Sequence, residues 1–199
     1  MAEKPLKQEL EEYLQAHPET RYLEALIADM NGILRGKRAE RDGFYKLFGN
    51  GMNMCAATII LDSRGNTFET IPYGVNDGDP DVRGMAVPGS LAPVPWVGVP
   101  TAQVLVEMNN IDGTAYPRDP RNVLRQAMQP LYDLGLRPVL ATELEFYLVE
   151  HDGERFRPRM PRIPGSELPQ PGLQYAMMED LYEVDDFLAD LDAICVAQN

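Results

Sequence analysis

The segment Tyr22-Leu-Glu-Ala-Leu-Ile-Ala-Asp-Met-Asn-Gly-Ile-Leu-Arg-Gly36 contains two apolar runs separated by Asn31-Gly32. Asn-Gly between apolar runs is a strong short-range signal for a β-hairpin, because both residues tolerate positive φ. A helix over residues 22–30 is the alternative, since a short apolar run does not distinguish helix from strand by its periodicity. We favour the hairpin, which predicts that the fold begins as a sheet.

Further helices and strands are predicted on both sides of this hairpin. Leu6, Leu10 and Leu14 are spaced four residues apart and predict an amphipathic helix over about residues 5–16. Residues 40–48 suit a second short helix. Strands are predicted at three more places: residues 54–62, 67–71 and 101–108. Residues 74–100 are rich in glycine and proline and predict a long loop, which inside a compact domain is usually functional.

The pattern changes after this last strand. Asp119 is a favourable N-cap, Pro120 takes the favoured first helical position, and Gly135 closes the helix. A strand over residues 138–149 follows, and another helix runs from about residue 184 to the end.

This change predicts a domain boundary within residues 109–118. We assign residues 1–112 to an N-terminal domain and residues 113–199 to the start of a second one. One helix–strand unit with a trailing helix buries little core, because small assemblies leave most of their surface exposed. We therefore expect the chain to be truncated.

Composition excludes several classes of partner. The net charge of −13 disfavours nucleic acid and anionic membranes, since both require a basic surface. The sequence has no apolar run of about 18 residues and no secretion signal at its N-terminus, so we expect a cytoplasmic protein without membrane helices. The two cysteines, Cys55 and Cys195, lie in apolar stretches and are expected to be small buried residues.

Glu143 and Glu145 stand out in the predicted strand Val139-Leu-Ala-Thr-Glu-Leu-Glu-Phe-Tyr-Leu-Val149. Side chains alternate along a strand, so both carboxylates share one face with Cα atoms about 6.5 Å apart. Two unpaired like charges in an interior strand are costly, and a divalent cation with oxygen ligands resolves this conflict. An edge strand with both acids in water is the alternative, and spacing does not separate the two.

Several ordered pieces of the sequence together resemble the glutamine synthetase family. The pieces are Asp29-Met-Asn-Gly-Ile-Leu-Arg-Gly-Lys37, the acidic loop of residues 74–81, Pro88-Gly-Ser-Leu with Pro95-Trp96, Asp119-Pro-Arg-Asn-Val-Leu124, and Glu143-Leu-Glu-Phe-Tyr-Leu148. The resemblance covers residues 20–199. It is closer to the branch that acts on amines such as polyamines (γ-glutamylpolyamine synthetase-like) than to enzymes that use ammonia.

The resemblance implies an α+β chain with an N-terminal β-grasp domain, followed by the beginning of a glutamine synthetase-type catalytic α/β domain. It also implies an ATP-dependent ligase that joins the side-chain carboxylate of glutamate to ammonia or an amine, through a γ-glutamyl phosphate. Mg²⁺ or Mn²⁺ would neutralise phosphate charge in this reaction. The complete protein is expected to form homo-oligomeric, dodecamer-like rings with active sites between subunits.

The resemblance also assigns roles to individual residues. Glu143 corresponds to the ligand of the nucleotide-side metal, and Glu145 to the ligand of the glutamate-side metal. One of Asp77, Asp79 and Asp81 corresponds to the residue that binds the amine in the adjacent subunit, with a solvated acidic turn as the alternative. Tyr175 matches a tyrosine near the amine pocket, but a core-packing tyrosine is the favoured interpretation at this position.

Two carboxylates and water would hold a six-coordinate ion only weakly, so we expect the isolated chain to be inactive.

Two other functions stay open. A non-catalytic relative that keeps the fold for assembly or regulation is the main alternative to an enzyme. An ATP-grasp ligase is less favoured, since no nucleotide-binding loop is visible in the sequence.

Overall fold

A computed structural model describes residues 5–68, 70–172 and 174–198 of the chain. These residues form two compact units. The first unit contains the described residues up to 138 together with Ala197 and Gln198, and the second contains those from 139 to 196. The boundary near residues 109–118 was inferred from sequence pattern and remains a prediction.

The first unit is built around a six-stranded mixed sheet. The strand order is β2-β1-β6-β4-β3, and β5 also pairs with β6. β1 runs parallel to β6, and every other pairing in this sheet is antiparallel. Its elements are, in chain order, α1 (Leu6–Ala16), β1 (Tyr22–Ala28), β2 (Leu34–Glu40), α2 (Arg41–Gly49), β3 (Met52–Cys55), β4 (Asp81–Ala86), β5 (Ala92–Pro93), β6 (Thr101–Asn109) and α3 (Pro120–Asp133).

Alternate residues of the two central strands supply the core. Every second residue of a strand points to the same face, and the burial patterns of β1 and β6 follow this alternation. Full burial of an apolar side chain such as Phe44 contributes about 1.5–3 kcal/mol. The same buried cluster contains residues from both helices and both strands: Leu10 and Leu14 of α1, Phe44, Leu47 and Phe48 of α2, Leu23, Ala25 and Ile27 of β1, and Ala102, Val104, Val106 and Met108 of β6.

The predicted hairpin is confirmed. β1 and β2 pair from Tyr22 opposite Glu40 to Ala28 opposite Leu34. The turn depends on Asp29, whose buried carboxylate accepts hydrogen bonds from the backbone N–H groups of Asn31 and Ile33 at 2.8 and 2.9 Å. Arg35 Nε donates to the same carboxylate at 2.7 Å.

The charge of Asp29 is stabilised in place. Burial by itself would raise its pKa, but the hydrogen bonds from Arg35 and from two backbone N–H groups outweigh burial, and the pKa of Asp29 is lowered. Asp29 therefore remains ionised inside the folded protein.

Four predicted helices are present close to their expected positions: α1, α2, α3 and the C-terminal α5 (Asp185–Gln198). α3 begins as its sequence indicates, because Asp119 accepts a hydrogen bond from the backbone N–H of Arg121 and Pro120 occupies the first turn. Gly135 adopts a φ of 74°, which suits a residue just beyond a helix end.

The strand predicted over residues 54–62 is wrong for most of its length. β3 ends at Cys55, and the apolar run that follows forms a 3-10 helix, Ala56–Ile60, with Ile59 fully buried. A short apolar run fits a buried helical turn as well as a strand, so its periodicity was not decisive. The return strand predicted over residues 67–71 is absent from the described part of that segment, and Glu69 lies outside the described residues.

Residues 74–100 are more ordered than predicted. They contain a 3-10 turn (Gly74–Asp77) and two strands, β4 and β5. Small residues such as Gly84 obscure the alternation of β4. A larger residue does not fit at position 84, because a Cβ atom there would lie 2.5 Å from Met54 Sδ on β3.

The second unit contains a small hairpin and two helices. These elements are β7 (Val149–His151), β8 (Phe156–Pro158), α4 (Glu179–Tyr182) and α5 as far as Val196. Among the described residues, no helix is both long and apolar enough to cross a bilayer.

Candidate functional site

The segment that carries Glu143 and Glu145 is not paired in a sheet with any of the described strands. Residues 136–148 are neither helical nor part of a strand, and both carboxylates are exposed. The interior strand predicted over residues 138–149 is therefore wrong, apart from Val149, which begins β7. A strand needs a neighbour that satisfies its backbone N–H and C=O groups. Among the described strands only β8 reaches this segment, and only at its end, where the N–H of Arg159 donates to the carbonyl of Leu148 at 2.8 Å.

Most of this segment is open to solvent. Leu144 is 85% exposed, Tyr147 is 71% exposed and both glutamates are exposed, whereas Leu148 is half-buried. The two glutamates were expected on one face of a buried strand. The described structure supplies neither the burial nor the like-charge conflict that the sequence argument assumed.

The two carboxylates are nevertheless chemically suited to a hard cation. Within the described part of the chain, no hydrogen bond or ion pair is found for either Glu143 or Glu145. Mg²⁺ and Mn²⁺ prefer oxygen ligands such as these carboxylates. The described residues contain no group of three or more His, Cys, Asp or Glu side chains arranged to hold a metal ion.

The acidic loop lies in the first unit, immediately before β4. Its 3-10 turn, Gly74–Asp77, is followed by two consecutive residues with positive φ, Gly78 at 79° and Asp79 at 50°. The backbone N–H of Asp79 donates to the carbonyl of Gly74 at 2.8 Å and to Asp77 Oδ1 at 3.1 Å. The loop is thus a closed turn with a defined backbone.

The three aspartates of this loop have different surroundings. Both carboxylate oxygens of Asp79 lie close to the sulfur of Cys55, at 2.8 and 2.9 Å. Asp81 begins β4, and its Oδ2 accepts a hydrogen bond from Asn53 at 3.2 Å. Asp77 uses Oδ1 for the Asp79 N–H, and no polar partner of its Oδ2 is found among the described residues.

Cys55 contacts the acidic loop, which the sequence did not predict. It was expected to be a small buried residue, but it is half-buried and its thiol meets the acidic loop. Burial and the hydrogen bond to Asp79 raise the pKa of the Cys55 thiol, so the thiol keeps its proton and donates it to the carboxylate. Only the register of β3 and β4, which the sequence did not reveal, brings these residues together. Cys195 was also expected to be buried and is exposed on α5.

Arg118 forms a second contact with the start of the acidic loop. Its guanidinium lies 3.6 Å from the centre of the Tyr73 ring, and its Nη1 donates to the hydroxyl of Tyr116 at 2.9 Å. A guanidinium over an aromatic face is an attractive arrangement. The residue immediately before the loop is therefore held against the segment that leads into α3.

Tyr175 is not packed in a core. It lies in the second unit and is fully exposed, so the core-packing alternative is wrong for the described structure. The following residue, Ala176, has a φ of 56°, which is unusual for a residue other than glycine.

Comparison with known proteins identifies the family. The glutamine synthetase catalytic domain matches residues 117–199. Over 193 residues, or 96% of its length, the chain is 35% identical to the gamma-glutamylputrescine synthetase of Escherichia coli (strain K12). The chain belongs to the glutamine synthetase family. Its resemblance at the level of short motifs is thereby confirmed.

Other members of the glutamine synthetase family give the same picture. The chain is 29% identical over 123 residues to a glutamate–isopropylamine ligase from Pseudomonas sp, an alignment that covers 61% of the chain. A crystal structure of a novel glutamine synthase homolog has the same fold over 58% of the chain, with a TM-score of 0.51 and 22% identity.

The chain is considerably shorter than these relatives. It spans 40% of the length of the gamma-glutamylputrescine synthetase and 27% of the length of the isopropylamine ligase. The matched part of the solved structure is 27% of that protein's chain.

Proposed function

We propose that the complete protein is an ATP-dependent ligase that joins the side-chain carboxylate of glutamate to a small amine or to ammonia. The observation that carries this proposal is the 35% identity to a gamma-glutamylputrescine synthetase over 96% of the chain. The similarity to a glutamate–isopropylamine ligase supports it and favours an amine over ammonia. A γ-glutamyl phosphate would make the carboxylate reactive, because phosphate then leaves when the amine attacks.

Glu143 and Glu145 are the proposed metal ligands, the first on the nucleotide side and the second on the glutamate side. Their exposed carboxylates supply oxygen atoms without competing partners among the described residues. A bound Mg²⁺ or Mn²⁺ would neutralise charge on the ATP phosphates and on the acceptor carboxylate. The contribution of this chain is to hold two carboxylates two residues apart.

Of the three acids in the loop, Asp77 is our proposed ligand of the amine. Asp79 is engaged by Cys55 and Asp81 by Asn53, whereas Asp77 has one carboxylate oxygen with no partner in the described part of the chain. An exposed carboxylate attracts a protonated amine by charge and accepts its hydrogen bonds. Tyr175 is a second proposed substrate contact, supported by its exposure and by its match to a family tyrosine near the amine pocket.

We also propose the finer architecture that the family implies. Residues 1–112 would form a β-grasp domain, supported by the mixed sheet and the confirmed β1–β2 hairpin. Residues 113–199 would begin the catalytic domain, in agreement with the family match from residue 117. Dodecamer-like rings of the complete protein and its cytoplasmic location remain predictions from the sequence.

The 199-residue chain by itself is proposed to have no ligase activity. Two carboxylates with water would hold a divalent ion weakly, since such ions take about six oxygen ligands. Phosphate release by the isolated chain would contradict this part of the proposal without affecting the assignment of the complete enzyme.

The ligase function is tested by measuring phosphate release from ATP by the complete protein. The assay uses glutamate, Mg²⁺ and a panel of amines that includes putrescine, isopropylamine and ammonia. We expect release that requires glutamate and is faster with at least one amine than with ammonia. Ammonia as the best acceptor would contradict the preference for an amine. No glutamate-dependent release with any acceptor would instead favour the non-catalytic alternative.

A further inference from the structure

The end of β3 lies directly against the acidic loop. Cys55, the last residue of β3, pairs with Asp81 at the start of β4, and the backbone N–H of Ala56 donates to the carbonyl of Pro80 at 3.1 Å. These contacts place the Cys55 side chain beside the loop residue that precedes Pro80. That residue is Asp79, and both of its carboxylate oxygens are within 2.9 Å of the Cys55 sulfur.

The backbone of the loop is in a conformation that most residues avoid. Gly78 and Asp79 both have positive φ, and glycine adopts such values far more readily than residues with a Cβ atom. Asp79 therefore needs contacts that hold it in place. Its N–H group bonds to Gly74 and Asp77, and its side chain bonds to Cys55.

We propose that Cys55 is a positioning residue for the acidic loop, and that its thiol orients the amine-binding carboxylate of Asp77 through Asp79. The connection is short: the Cys55 thiol holds the Asp79 side chain, and the Asp79 N–H holds Asp77 Oδ1. The inference rests on the proposed function only in that Asp77 is taken as the residue that binds the amine. The contact between Cys55 and Asp79 is independent of that assignment.

The contact with Asp79 also favours the protonated form of the Cys55 thiol, which the thiol needs in order to donate a hydrogen bond. A thiol donates a hydrogen bond only while it carries its proton, and the carboxylate beside it opposes ionisation. The carboxylate in contact with Cys55 is that of Asp79, and a second acid, Asp81, is its register partner on β4. Removal of the Asp79 charge should therefore make the thiol easier to ionise.

Kinetics of the complete enzyme test the positioning role. Cys55→Ala removes the hydrogen-bond donor. We expect the KM for the amine to rise about three- to tenfold, which is the size expected for the loss of one hydrogen bond. The change in kcat should be smaller than the change in KM. Cys55→Ser keeps a donor and should restore the KM to within about twofold of the unmodified enzyme. Cys195→Ala changes the exposed cysteine of α5 and serves as the matched control. An unchanged amine KM in Cys55→Ala, or an equal loss in Cys55→Ala and Cys55→Ser, would overturn the proposal.

Alkylation of Cys55 tests the contact without any ligase assay. The rate at which iodoacetamide alkylates Cys55 is measured against pH in the complete protein, by mass spectrometry of the peptide that contains Cys55, with and without Asp79→Asn. We expect Asp79→Asn to shift the profile to lower pH, so that alkylation is faster at pH 8. An unshifted profile would overturn the contact and the proposal with it. A shifted profile together with no ligase activity would instead retain the contact and reject the proposed function.

Discussion

Asp29 shows how one residue can determine a turn. Its carboxylate is fully buried, yet it stays charged because Arg35 and two backbone N–H groups bind it. The sequence indicates the turn through Asn31-Gly32, but it does not indicate that the Asp29 carboxylate accepts hydrogen bonds from within the turn. Its burial depends on how the hairpin packs on the rest of the sheet, and this is not a local property of the sequence.

The Asp29–Arg35 pair predicts a difference between two arginines of the same strand. Arg35→Ala leaves a buried carboxylate without its cationic partner and should destabilise the fold by about 2–3 kcal/mol. Arg38→Ala removes a more exposed pair with Glu24 and should cost only about 0–1 kcal/mol. Urea unfolding of both variants measures these values. Equal losses for the two variants would contradict the role given to the buried pair.

Asp29 also predicts a pH dependence. Its pKa is lowered in the folded protein, so its contribution to stability is complete above the pKa of an unfolded aspartate and is lost as the pH falls through the folded value. Asp29→Asn cannot ionise, and its deficit relative to the unmodified protein should shrink as the pH is lowered through the acidic range. Unfolding free energies at several pH values measure this. A deficit that stays constant with pH would exclude the mechanism.

At the scale of elements, the sequence correctly predicted the helices and strands that are marked by a few adjacent residues. The β1–β2 hairpin has Asn-Gly at its turn, and α3 has Asp119-Pro120 at its start, so both were predicted from a few adjacent residues. β4 was missed because two of its three buried residues, Gly84 and Ala86, are small and leave the apolar alternation weak. The strand expected over residues 138–149 is absent because pairing requires a second strand, which a single segment cannot specify.

Close packing between β1 and β2 predicts a marked effect of one methyl group. A Cβ atom at Gly36 would lie 1.8 Å from the carbonyl oxygen of Ala25, and a backbone atom cannot move aside as a flexible side chain does. Gly36→Ala should therefore destabilise the fold by about 3 kcal/mol or more. Gly98→Ala is the control, since a Cβ there meets nothing within 4 Å and should change stability by about 0.5 kcal/mol or less. Thermal unfolding of both proteins distinguishes these outcomes, and a tolerated Gly36→Ala would argue against the register of the hairpin.

At the scale of the whole molecule, the candidate residues were partly predictable. The motifs identified Glu143, Glu145 and the three aspartates as candidate site residues, because residue type and order are visible in a sequence. The differences among the aspartates were not visible, since Cys55 and Asn53 reach the loop only through the β3–β4 register. Glu143 and Glu145 are the two proposed metal ligands and lie on an exposed segment, so metal binding tests this part of the proposed site most directly.

The decisive measurement is a titration of the complete protein with Mn²⁺, monitored by the electron spin resonance of the free ion. Glu145→Gln replaces one proposed carboxylate ligand, and Glu150→Gln changes a nearby exposed glutamate of β7 as the matched control. We predict that the unmodified protein and Glu150→Gln bind Mn²⁺ equally, and that Glu145→Gln binds about tenfold or more weakly. Equal affinity of all three proteins, or no Mn²⁺ binding by any of them, would contradict the account.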